Sequence, residues 1–107
     1  MKNMIAAATL VLLAGGLNAC TWVKTTPEGG SVRVASADAV GDCVRKGKVT
    51  VSVKSRVSGV ERKPTKVATE LATLARNEGA LLGGDTVVAE TAVAEGRQTF
   101  GVYQCGS

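Results

Sequence analysis

Between Lys48 and Val57 apolar and polar residues alternate more regularly than anywhere else in the chain. Val49, Val51, Val53 and Val57 fall on one side, and Lys48, Thr50, Ser52, Lys54 and Arg56 fall on the other. A period of two predicts a half-buried strand, here with a basic outer face. Upstream, Ser31 to Val40 carries Val32, Val34 and Val40 with Arg33 opposed, which predicts a shorter strand before a turn at Gly41-Asp42. The period then changes. Val67, Leu71, Leu74 and Ala75 recur at i, i+4, i+7 and i+8, the stripe of an amphipathic helix over Thr65 to Asn77. Lys66, Glu70, Thr73 and Asn77 are expected to face away from its partner surface. Pro64 suits the first helical position, where a missing N–H costs nothing, and Gly79 is the expected stop. Ala80, Leu81 and Leu82 are apolar enough to add one more turn before Gly83-Gly84. Alternation returns from Asp85 to Ala94, with Val87, Ala89, Thr91 and Val93 together, and Glu95-Gly96 predicts a hairpin turn into Arg97 to Gln104. Ser58 to Lys63 is left as a polar loop. The order β-β-α-β-β, two hairpin-like pairs flanking a helix, predicts an α+β fold with one helix on a small, mostly antiparallel sheet.

The N-terminus follows neither period. Ile5 to Leu17 is a continuous apolar run of about 13 residues, short of the ~20 needed to span a bilayer as a helix. Lys2 and the amino terminus precede it and small residues follow, which predicts a secretory signal over residues 1–19, removed from the mature protein. Leu17, Asn18 and Ala19 directly before Cys20 resemble a bacterial lipobox, with Asn18 an unusual residue for its place. That resemblance implies cleavage before Cys20, acylation of its thiol and anchoring in a membrane. Thr21 is not the aspartate associated with inner-membrane retention, so the resemblance implies the outer membrane, facing the periplasm. Trp22 is placed either to settle at the headgroup level or to cap the domain. Lys24 to Gly30 (KTTPEGG) reads as a short flexible tether. The expected division is a signal peptide at 1–19, a lipidated N-terminus and tether at 20–30, and one small periplasmic domain at 31–107.

A domain of this size buries only about 60–65% of its unfolded surface and is marginally stable without help. Aromatics are few, with Trp22, Phe100 and Tyr103 the only ones, so the core must come from valine, leucine and alanine. Lipidation would consume Cys20 and leave Cys43 and Cys105 as an even pair in an oxidising compartment, where a disulfide forms and persists. Closing so long a loop is valued at about 4 kcal/mol in the chain-entropy model. The chain contains no histidine, and the cysteines have neither a histidine partner nor a Cys-x-x-Cys spacing. A zinc site or a catalytic thiol therefore lacks the residues it would use. No cofactor or metal is expected.

The formal charge is +4 at pH 7, and loss of Lys2 with the signal lowers it by one. That excess is too small to demand nucleic acid, and none is expected as a partner. Lys48, Lys54 and Arg56 share the outer face of the predicted strand, with Arg45, Lys46, Arg62 and Lys63 in the flanking loops. The three form a candidate surface for anionic envelope polymers, lipid phosphates or an acidic protein. The same charges equally suit a solvated face that discourages edge-to-edge aggregation. Gly41 to Lys48 (GDCVRKGK) fails as a phosphate loop, because its spacer is one residue too long and Val49 stands where a Ser or Thr would hold magnesium. The carboxylates are scattered singly, and no acid–base or hydrolytic constellation is present.

Cys43 before a Gly-Lys-Val strand, a helix ending Ala75-Arg76-Asn77-Glu78-Gly79-Ala80, then Gly84-Asp85-Thr86-Val87-Val88 and a terminal Gly101-Val102-Tyr103-Gln104-Cys105 together resemble a group of small bacterial lipoproteins of unknown function. That group is distantly similar to the RcsF lipoproteins of the outer membrane, which sense envelope stress for a phosphorelay. The likeness covers Val32 to Cys105. Two departures limit what it implies: RcsF domains hold two disulfides where this chain can form one, and their long proline-rich tether is missing. The resemblance therefore implies fold and location and leaves signalling aside. The expected function is a non-enzymatic, lipid-anchored domain that binds a membrane through its anchor and an envelope protein or anionic polymer through its surface, in envelope homeostasis or stress sensing. The alternative is a structural lipoprotein that contributes to envelope integrity without signalling.

Overall fold

A computed structural model describes residues 23–106. The signal segment, Cys20 and Trp22 lie outside the described residues. The strands are β1 (Arg33–Ala35), β2 (Val44–Ser52), β3 (Arg56–Val57), β4 (Val60–Glu61), β5 (Thr86–Ala89) and β6 (Arg97–Gln104), and the helix α1 is Pro64–Leu81. Four strands form one sheet in the order β1-β5-β6-β2, and β3 and β4 form a separate two-stranded ribbon. The β5–β6 and β6–β2 pairs are antiparallel, and β1 lies parallel to β5. The helix covers one face of this mixed sheet, so the fold is α+β.

Burial follows the two periods. From α1, Val67, Leu71 and Ala75 meet Val51, Val87, Phe100 and Val102 of the sheet, and Val32 closes the cluster from ahead of β1. Leu71, Val87 and Val102 have no exposed surface. Removing each large aliphatic chain from water contributes about 1.5–3 kcal/mol, so most of the fold's stability resides here. Val40 and Val88 are also buried but lie outside this cluster. Among the described residues no helix is long and apolar enough to cross a membrane.

Several expectations change. The first two strands do not pair with each other; β1 and β2 occupy opposite edges of the sheet, and β1 takes its partner from beyond the helix. Local alternation identifies a strand without naming its neighbour, and here the segment after Ala35, with a short 3-10 turn at Ala37–Val40, carries the chain from one edge to the other. The strand expected over residues 48–57 ends at Ser52, and Val57 belongs to the β3–β4 ribbon, where it is 49% exposed. Ser58 and Gly59, both with positive φ, make the tight turn of that ribbon inside the segment read as a loop.

Gly79 does not stop the helix. It lies buried within α1, where a Cβ would come 2.8 Å from Cγ1 of Val87, so its bareness lets the helix approach the sheet. The helix ends at Leu81, and Gly83, whose φ is 82°, supplies the left-handed residue that follows the cap. There the Gly84 N–H donates to Gly79 O at 3.0 Å and the Gly83 N–H donates to Ala80 O at 3.0 Å. The Glu95-Gly96 turn is present as expected, with both residues at positive φ and Ala94 bridged to Arg97.

The disulfide joins Cys43 to Cys105 across 62 positions of sequence. It ties the residue before β2 to the residue after β6, at the end of their shared ladder.

Candidate functional site

Side chains of α1 first fix the N-terminal segment. Arg76 Nε donates to Val32 O at 2.6 Å and its Nη2 to Gly30 O at 3.3 Å. Asn77 Oδ1 accepts from the Thr26 N–H at 2.9 Å, and its Nδ2 donates to Lys24 O at 2.9 Å. A short 3-10 turn at Gly29–Ser31 buries Gly29 beneath these contacts. Residues 24–30, expected to form a loose tether, are thus docked on the helix. Their composition is that of a linker, but the partners that hold them are polar side chains far along the sequence. Asn77, expected to face away from the domain, is one of those partners.

Glu70 is a second departure. Its side chain is only 8% exposed and forms a paired contact with Arg62, itself 8% exposed: Nη1 to Oε1 at 2.9 Å and Nη2 to Oε2 at 2.6 Å. Arg62 also donates to Lys54 O at 3.0 Å, which binds the β3–β4 ribbon and the end of β2 to the helix. The hydrogen bonds from Arg62 hold the Glu70 carboxyl below its ordinary value, against the opposing effect of burial. A buried pair of this kind is costly to break, because the surviving partner keeps its charge without compensation.

At the far end of the sheet Asp85 accepts from the Cys105 N–H at 2.8 Å and the Gly106 N–H at 2.7 Å. Thr86 Oγ1 donates to Asp85 Oδ1 at 3.0 Å, and Arg33 Nε donates to Thr86 Oγ1 at 3.3 Å. The two backbone donors are the main reason the Asp85 carboxyl sits below the usual aspartate range. This chain of contacts ties β1, β5 and the residues beside the disulfide together.

The sheet face opposite α1 carries Arg45, Glu90 and Tyr103. Arg45 Nη1 donates to Glu90 Oε2 at 2.7 Å and to the Tyr103 hydroxyl at 2.9 Å, and the guanidinium carbon lies 5.5 Å from the ring centroid. The hydrogen bond from Arg45 depresses the Glu90 carboxyl. Gly101 is the floor of this group. A Cβ there would meet Glu90 Oε2, Arg45 Nη1 and Tyr103 Cε1, so a larger residue would push the ends of these side chains aside.

The predicted basic trio is divided between elements. Lys48 is exposed on β2, and Lys54 is exposed just past the end of that strand. Arg56 lies on β3, in the other sheet, and pairs with Glu61 at 3.2 Å. The chain turns away after Ser52, so alternation past that point no longer describes one face. Along β2, by contrast, the outer edge meets no strand among the described residues. A groove of about 410 Å³ runs beside it, lined by Val49, Thr50, Val51 and Ser52 of the strand and by Leu74 and Glu78 of α1. A larger, open hollow of about 750 Å³ lies between the β3–β4 ribbon, the start of α1 and the Glu95-Gly96 turn. Among the described residues no cluster of three or more His, Cys, Asp or Glu is arranged to hold a metal ion.

Sequence reasoning missed Arg76, Asn77, Arg62 and Glu70 as structural partners. The Arg76-Asn77 pair at the end of an amphipathic helix was a visible signal, but nothing local distinguishes such residues from solvated ones.

A small α+β domain closed by one disulfide and covered by a helix on one face is the class this geometry defines. The family model for DUF4156, a domain of unknown function, matches residues 23–105, and the chain belongs to that family. The match begins at the first described residue and ends at Cys105, so the docked segment and the disulfide both fall within it. No curated protein and no solved structure matches the chain.

Proposed function

We propose that this protein is a lipid-anchored domain of the bacterial outer membrane, facing the periplasm, that acts by binding another envelope component in envelope homeostasis or stress sensing. The observation that carries this reading is the Cys43–Cys105 bond. It uses the two cysteines that remain once Cys20 is assigned to the anchor, and such a bond is at home in an oxidising compartment. The docked N-terminal segment supports the same reading. Lys24 is already held by Asn77, so four residue steps separate it from Cys20, a reach of at most about 14 Å. A domain anchored at Cys20 stays against its membrane and meets partners there. The function proposed is recognition and needs no cofactor. The RcsF likeness remains a resemblance in the two cysteines, the helix-to-glycine junction and the lipobox.

Two measurements test this. The intact mass of protein extracted from membranes is expected to match residues 20–107 plus acyl chains, with Cys43 and Cys105 oxidised; an unacylated mass overturns the anchor. Chemical crosslinking in cells is expected to give a discrete protein adduct. Adducts with cell-wall polymer alone would replace recognition with a structural role in envelope integrity.

A further inference from the structure

We propose that the open edge of β2 is a docking strand for an extended segment of a partner protein in which apolar and acidic residues alternate. The inference rests on the binding reading above and is independent of the lipid anchor.

The backbone supplies the first argument. β2 is nine residues long and forms one edge of the sheet. The Val53 N–H donates to Gly96 O at 2.8 Å, so residue 53 bonds toward β6. In an antiparallel ladder the bonding direction alternates. Val51 and Val49, opposite Gln98 and Phe100, therefore also bond inward. The N–H and C=O groups of Lys48, Thr50 and Ser52 point outward, where no strand of the described chain meets them. A row of this kind is a template for one more strand.

The side chains then select the occupant. An incoming strand would present alternate residues to the two faces of the sheet. On the helix side it enters the groove where Val49, Val51 and Leu74 offer apolar surface and Glu78 a carboxylate, which favours apolar over acidic side chains. On the other side it runs past Lys48, with Lys54 just beyond the strand end. Neither lysine is within ion-pair distance of a carboxylate among the described residues, although the Lys48 charge reaches Glu90 at longer range. That side favours acidic residues. Self-pairing of two β2 edges would bring the Lys48 and Lys54 charges of both copies together, and like charges across a ladder are destabilising. The chain's own undescribed N-terminus cannot supply the complement, because residues 1–22 contain no Asp or Glu. The lysines that turn away a second copy leave the edge open to an acidic partner.

The test uses the full-length protein with Cys43 and Cys105 oxidised, in detergent micelles, titrated with a ten-residue peptide of alternating valine and glutamate and followed by amide hydrogen exchange. The amides of Lys48, Thr50 and Ser52 are expected to gain at least tenfold protection on saturation. A peptide of the same composition with its valines and glutamates in separate blocks is expected to bind at least tenfold more weakly. Thr50→Pro removes an outward donor without touching a bond to β6, and it should abolish protection while the β6 amides remain protected. Lys48→Glu/Lys54→Glu, which leaves the backbone intact, should weaken the alternating peptide at least tenfold and restore binding to its valine–lysine counterpart. Equal binding of the block peptide overturns the proposal in favour of charge alone, and protection that survives both variants overturns it outright. Protection of the same three amides by protein concentration without peptide overturns the chosen occupant in favour of a second copy. No binding overturns the edge proposal, while a discrete protein adduct in cells would still leave the recognition reading standing.

Discussion

The two edges of the sheet are built in opposite ways. The β1 edge is three residues long. It is fastened through Arg33 and Thr86 to Asp85 and is flanked by the segment that Arg76 and Asn77 hold. The β2 edge is nine residues long, basic, and bounded by a groove in which Val49, Val51 and Leu74 lie beside Glu78. Sheet edges are hazards that proteins blunt by shortening, charging or covering them. Here one edge is shortened and locked, whereas the other is charged and left accessible. The contrast teaches that charge without coverage is a selective form of protection, since it excludes copies of the same chain and admits a complementary one.

The largest way to break this contrast is to remove the disulfide, which holds the start of β2 against the end of β6. Cys43→Ser/Cys105→Ser is expected to lower stability by about 4 kcal/mol, measured by urea unfolding, with the β2 amides exchanging first. A loss below about 1 kcal/mol would show that the ladder needs no such tie.

Closing the gap between helix and sheet matters next. In Gly79→Ala the new methyl meets Val87, and overpacking of about 1–3 kcal/mol is set against roughly 1 kcal/mol of gained helix propensity. Net destabilisation of up to about 2 kcal/mol in the same unfolding assay is expected; a stabilised variant would mean that the sheet yields easily.

The locked edge is opened by Arg76→Ala, which removes the donors to Val32 and Gly30. A loss of about 1–2 kcal/mol is expected, together with proteolytic cleavage within residues 24–32 and an unchanged β2 edge. Cleavage at β2 instead would deny that the two edges are independent.

Acid tests the carboxylates that join elements together. Glu70, Asp85 and Glu90 all have folded-state values below their ordinary ones. Between the lowered and ordinary values the unfolded chain binds more protons, so the stability these groups contribute is complete above the ordinary carboxylate range. It is lost as pH falls through the lowered values. Glu70→Gln should flatten that acid limb in a thermal-unfolding series at graded pH, at the cost of lower stability near neutrality. An unchanged slope would remove the Arg62–Glu70 pair from the account.

The smallest stability effect belongs to the open edge itself. Thr50→Pro loses the hydroxyl contact with Thr99, which is 2.9 Å long, and should cost about 1 kcal/mol or less in urea unfolding. A cost several times larger would mean that the Thr50 N–H already has a partner within the fold.

What was legible in the chain was local. Val67, Leu71 and Ala75 announced the buried stripe of α1, Val49 and Val51 announced the inner face of β2, and Glu95-Gly96 announced a turn. Cys43 and Cys105 announced their bond once Cys20 was set aside. What escaped depends on distant partners. The parallel pairing of Arg33–Ala35 with Thr86–Val88 leaves no mark in either segment alone. Arg56–Val57 and Val60–Glu61 are too short to show a period. Gly79 looks like any helix stop until Val87 is seen against it. The groove beside β2 followed the same rule: the valines and lysines were visible, but Leu74 came to their side only through the packing of α1.

The central claim is that recognition occurs at the β2 edge, and position-resolved photo-crosslinking in living cells tests it most directly. A photoreactive side chain is placed at Thr50 on the open edge or at Val34 on the locked one. A discrete protein adduct is expected from position 50 and none from position 34. Adducts from position 34 alone, equal adducts from both, or none from either would contradict that claim.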